Sequence, residues 1–108
     1  MDSAAGLACY LAEWYLTELT EQSVADIVAK LDAATSTVTD EGRRVRLLVT
    51  LAVPTDEVLY GVFDAASADI VTSTCHRAGL PHQRLSDLVG TRIRQRPSAA
   101  TPAMVHQK

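Results

Sequence analysis

Cys75, His76 and His82 bring a thiol and two imidazoles into one short stretch of the chain. Imidazole and thiolate suit nickel, copper or zinc, so these three residues are the candidate metal ligands. Consecutive residues on a helix point about 100° apart, so Cys75 and His76 can share one ion only where the helix frays. A tight site asks for three or four ligands, and Glu13, Asp87 or a second subunit would have to complete this one. The competing reading is a small core thiol beside two solvated imidazoles.

Glu13 is the second candidate. It sits in the run Leu7–Leu16, which is otherwise apolar and aromatic. A carboxylate there is costly to bury unless it is paired, and Arg46 on the next strand or Arg92 on the last could pair it. Its functional reading is a polar anchor on the floor of a cavity over a sheet, able to act as acid or base. The alternative is an edge position or an inter-subunit salt bridge. Trp14, Tyr15, Tyr60 and Phe63 join Glu13 as the candidate lining of a pocket for an apolar or aromatic ligand, with plain packing as the alternative. Arg92, Arg94 and Arg96 alternate toward the C-terminus, placed to meet phosphate or an acidic partner, or simply to form a solvated face. The sequence has no phosphate-cradling glycine loop, no Ser-His-Asp order and no paired CxxC, so no catalytic residue is assigned.

These residues need elements to position them. Leu7–Leu16 reads as a strand. The first helix begins at Thr20, with Val24, Ile27, Val28 and Leu31 on the i, i+3, i+4, i+7 stripe of a one-sided helix. Leu19 before the cap and Val24 after it suit a hydrophobic staple. Thr35–Gly42 is polar and acidic, and reads as a loop. Arg43–Val53 is the clearest strand, with Val45, Leu47, Val49, Leu51 and Val53 expected on one face and Arg46, Leu48, Thr50 and Ala52 on the other. Pro54–Glu57 is a turn signal leading into a returning strand, Val58–Phe63. Ser67 caps a second helix over Ala68–Ala78, which Gly79 and Pro81 terminate. On its wheel, Ile70, Val71, Thr74, Cys75 and Ala78 cluster while His76 faces the other way. Arg84–Ile93 is the last strand. The domain is read over residues 7–93, and 94–108, with two prolines and no periodicity, as a flexible C-terminal tail or an arm that orders against a neighbour.

At 108 residues the chain makes one domain, with 47% hydrophobic residues. Ten basic and thirteen acidic residues give a net charge of −3, which argues against a general nucleic-acid binder. No apolar run approaches the roughly 20 residues that span a bilayer. Two cysteines without a framework of pairs, and no leader-like start, lead to the expectation of a cytoplasmic protein with Cys9 and Cys75 as free thiols.

The element order β-α-β-β-α-β predicts an α+β, ferredoxin-like fold: a four-stranded antiparallel sheet with both helices on one face. A free sheet face in water alternates apolar with polar residues. The first three strands are apolar on both faces, so the second face is expected to be covered. A two-fold homodimer packing sheet on sheet, or closing a barrel-like dimer, is the expected cover. The tail folding back over the sheet is the alternative.

The strand and helix start Tyr60-Gly-Val-Phe-Asp-Ala-Ala-Ser-Ala-Asp, followed by the helix stop Cys75-His-Arg-Ala-Gly-Leu-Pro81, resembles a bacterial domain-of-unknown-function family of small ferredoxin-like proteins, some labelled nickel-binding. The resemblance covers roughly Tyr10–Ile93 and is specific over its second half. It implies the ferredoxin-like fold and a homodimer. It also implies histidines in the first strand, in the last turn of the second helix and just past its glycine. Here those places are held by Trp14 and Tyr15, by Cys75 and by Leu80, with His76 and His82 as neighbours. The expectation is therefore a non-enzymatic homodimeric module that binds a small ligand or a transition metal such as nickel. The alternative is a small dimeric αβ-barrel enzyme, similar to cofactor-independent monooxygenases, with a cavity over the sheet.

Overall fold

The computed structural model describes residues 8–89 and 102–104. The elements are β1 (Ala8–Tyr15), α1 (Glu21–Asp40), β2 (Val45–Val53), β3 (Val58–Ala65), α2 (Ala68–Arg77), β4 (Arg84–Leu88) and β5 (Pro102–Met104). The sheet order is β4-β1-β3-β2-β5. β1 runs antiparallel to both β3 and β4, and β2 antiparallel to β3. The first four strands and the two helices form the expected ferredoxin-like α+β fold. The fifth strand is an addition: Pro102–Met104 pairs in parallel with Thr50–Ala52 at the sheet edge. The expected tail over 94–108 thus contributes a strand of its own chain's sheet, and its other residues lie outside the described ones.

Both helices pack on one face. Val24, Val28, Leu31 and Val38 of α1, with Val71 and Cys75 of α2, share one core with Tyr10, Ala12, Trp14, Leu47, Ala52, Leu59 and Phe63 of the sheet. Thr20 opens α1 through a capping box: its hydroxyl accepts from Ser23 N at 3.1 Å, and Ser23 Oγ accepts from Thr20 N at 2.9 Å. Leu19 and Val24 are both buried in that core, as the staple requires.

The expected loop at Thr35–Gly42 is not found, because α1 continues to Asp40. Leu31, Ala34, Thr35 and Val38 carry the buried stripe onward at helical spacing. The threonine hydroxyls fold back onto the helix, Thr35 donating to Asp32 O at 2.8 Å and Thr37 to Ala33 O at 3.1 Å. Polar composition concealed an amphipathic face. Gly42, at φ +94°, follows the helix end.

A β-bulge in β2 changes which residues face the core. Register passes from Leu47↔Phe63 to Val49↔Val62, leaving Leu48 as the extra residue. Val45 and Leu47 are buried before the bulge, Thr50 and Ala52 after it. The single apolar face expected over Val45–Val53 is therefore split: Val49 and Leu51 turn to the side away from the helices. α2 ends in a Schellman motif, with Leu80 N donating to Cys75 O at 2.9 Å, Gly79 N donating to His76 O at 3.0 Å, and Gly79 at φ +74°. β4 spans Arg84–Leu88, and the end expected for it at Ile93 lies outside the described residues. No helix among the described residues is long and apolar enough to cross a membrane.

Candidate functional site on the open sheet face

The candidate site is built on the face turned away from the helices. Strand alternation puts Cys9, Leu11, Glu13 and Tyr15 of β1 on that face, beside Asp64, Val62, Tyr60 and Val58 of β3. The bulge adds Val49 and Leu51 of β2, paired with Val62 and Tyr60. Leu11, Val49, Leu51, Tyr60 and Val62 line an open apolar hollow of about 340 Å3. Four of these five residues were absent from the sequence-based pocket. The bulge hid Val49 and Leu51, and nothing in the sequence marks which face of β1 and β3 is left without helices.

Glu13 stands at one end of this hollow, directly across from Tyr60. Its side chain is 14% exposed, and its Oε1 accepts the Tyr15 hydroxyl at 3.2 Å. By accepting that hydrogen bond the carboxylate favours the protonated phenol and holds Tyr15 above the ordinary tyrosine range. Among the described residues the cation beside Glu13 is Arg84, at 3.8 Å, and not the expected Arg46. Arg46 instead pairs with Asp64 at 3.2 Å at the other end of the face, while Arg92, Arg94 and Arg96 lie outside the described residues. Gln83 ties the end of β1 to the chain entering β4, donating through its N to Glu13 O at 2.8 Å and accepting from Tyr15 N at 2.9 Å. Cys9 lies across from Asp64, and its thiol is pushed up first by burial and then by that carboxylate.

The proposed pocket set divides across the sheet. Glu13, Tyr15 and Tyr60 are on the open face. Trp14 and Phe63 are on the helix face, 1% and 0% exposed, with ring centroids 6.4 Å apart at an interplanar angle of 63°. The Trp14 indole N–H donates to Leu80 O at 2.7 Å. Period two forces this division, since adjacent residues of a strand point to opposite faces.

The metal set is not brought together. Cys75 is fully buried among the helices, and burial pushes its thiol up to about 12, so the thiolate a metal needs is strongly disfavoured. His76 is exposed on α2. His82 Nε2 lies 3.0 Å from the Thr72 hydroxyl, and its Nδ1 is buried without a hydrogen-bond partner. Among the described residues no three His, Cys, Asp or Glu side chains converge as a metal site. Within the described residues Cys75, His76 and His82 are therefore not arranged to share one ion. Cys9 and Cys75 are both free thiols, as expected.

A half-buried carboxylate beside an aliphatic floor can accept a hydrogen bond from the polar end of an apolar ligand. No protein-family model and no curated protein matches the chain. Among solved structures it is similar to SCO4226 from Streptomyces coelicolor A3(2), at 17% identity and a TM-score of 0.66, over 79% of this chain and 100% of that one. At that identity the likeness extends to the fold.

Proposed function

We propose that this protein is a non-enzymatic binding module that works as a homodimer, two copies closing their open sheet faces over a small apolar ligand. The observation that carries this reading is the apolar hollow of Leu11, Val49, Leu51, Tyr60 and Val62 on the face without helices. A sheet face left to water alternates with polar residues, and apolar patches of this kind mark interaction or ligand sites. Glu13 and Tyr15 at the rim supply the polar groups that orient a bound molecule.

Light scattering on the purified chain, with titration of an apolar fluorescent dye, tests the reading. A dimer that binds the dye in the wild type, and loses both properties in Val62→Glu, is the expected result. A monomer that ignores the dye would refute it. The enzymatic reading has one observation in its favour, the Glu13–Tyr15 hydrogen bond beside the hollow. It requires that Glu13→Gln abolish turnover of a bound compound while leaving its binding intact.

A further inference from the structure

The charged residues of the open face follow a pattern that the apolar hollow does not explain. Leu11 and Val62 are directly paired at the centre of the face. Two residues along β1 from Leu11 stands Glu13, opposite Arg84 on β4. Two residues along β3 from Val62, in the opposite direction, stands Asp64, opposite Arg46 on β2. Each carboxylate is on a central strand and each guanidinium on the strand outside it. The pattern has its own two-fold symmetry about the Leu11–Val62 pair.

The pairs are unequal in exposure. Glu13 and Asp64 are 14% and 15% exposed, whereas Arg84 and Arg46 are 67% and 69% exposed. The Arg84–Glu13 separation of 3.8 Å is too long for a hydrogen bond, and Arg46 reaches Asp64 through one nitrogen at 3.2 Å. A guanidinium carries five N–H donors, so both arginines keep most of theirs unspent among the described residues.

We infer that these two pairs are the register lock of the homodimer, each exposed guanidinium bonding a carboxylate of the second copy. The inference rests on the dimeric reading above. Among the described residues the open face carries two charges of each sign, so a strongly acidic or basic partner meets as much repulsion as attraction there. A second copy of the same face is complementary to it. A two-fold axis in the interface along a diagonal of the face sets every guanidinium against a carboxylate. An axis parallel to the strands sets the arginines against Leu88 and Leu51. The charges therefore select a dimer whose sheets cross steeply over one whose strands run aligned.

Two double variants test this. Glu13→Lys with Asp64→Lys leaves a wholly basic face, and Arg46→Glu with Arg84→Glu a wholly acidic one. The expected result is that each is folded by circular dichroism and monomeric where the wild type is dimeric, and that an equimolar mixture recovers a heterodimer that salt weakens. Because the lysine variant alters half-buried positions, the exposed Arg46→Glu and Arg84→Glu single variants provide a second measurement, each expected to weaken the dimer about tenfold. Arginine variants with wild-type affinity, or folded double variants that do not associate on mixing, would overturn the lock and leave the dimer standing. A monomeric wild type would remove both.

Discussion

The Trp14 indole rests on the bare backbone of Gly61: a Cβ at that glycine would stand 2.9 Å from Cζ3 and 3.2 Å from Cη2 of the ring. Phe63 meets the same indole edge-on, and Leu80 O accepts its N–H. The ring is thus held from three directions, by β3, by its neighbour in the core and by the chain leaving α2.

Gly61→Ala is expected to cost about 1–3 kcal/mol, because the added methyl must displace a packed ring rather than a flexible side-chain end. Trp14 is the one tryptophan of the chain, so its fluorescence in a denaturant titration reads both the loss of stability and the shift of the ring.

Thr50 is 1% exposed and its hydroxyl has no hydrogen-bond partner. Thr50→Val keeps the branched shape and removes the unsatisfied group, so it is expected to stabilise the fold by about 1 kcal/mol. A denaturation midpoint that falls would show that the hydroxyl has a partner after all.

The two thiols are expected to separate kinetically. Cys75, fully buried with its thiol pushed up to about 12, should react with a disulfide reagent only as fast as the fold opens. Cys9, half-buried on the open face, should react first, and more slowly in the dimer than in a monomeric variant. Mass spectrometry of the partly labelled protein distinguishes the two.

Glu41, at the end of α1, holds Arg77 by two contacts of 2.6 and 3.0 Å and Arg43 by one of 3.4 Å. Arg77 first, and Arg43 after it, lower the Glu41 carboxyl below its ordinary 4.5. A carboxyl lowered in the folded state stabilises above its unfolded value and loses that contribution as pH falls through the folded one. The melting temperature of Glu41→Gln should therefore lie slightly below wild type at neutral pH, with the gap closing below 4.5. Asp32, whose carboxyl burial raises, acts with the opposite sign: its ionised form opposes folding at neutral pH.

Much of the fold was legible because its signals are local. Thr20 and Ser67 cap the helices, Gly79 and Pro81 end the second one, and Pro54–Glu57 turns the hairpin, each through chemistry contained within a few residues. The site was legible only in part. Glu13, Tyr15 and Tyr60 came together on one face, because β1 and β3 pair in the register that sets Glu13 against Tyr60. Trp14 and Phe63 were separated from them by the same period of two. Arg84 replaced Arg46 as the cation beside Glu13 because β4, not β2, is the neighbour of β1 on that side.

The order of elements, the caps and the surplus of apolar residues were set by the sequence alone, since each depends on neighbours along the chain. Tertiary structure decided the rest. Helix packing carried α1 through a polar run, because burial of Thr35 and Val38 outweighs weak local propensity. One extra residue at Leu48 moved Val49 and Leu51 from the core to the open face, and that shift, which depends on a partner strand, created the hollow.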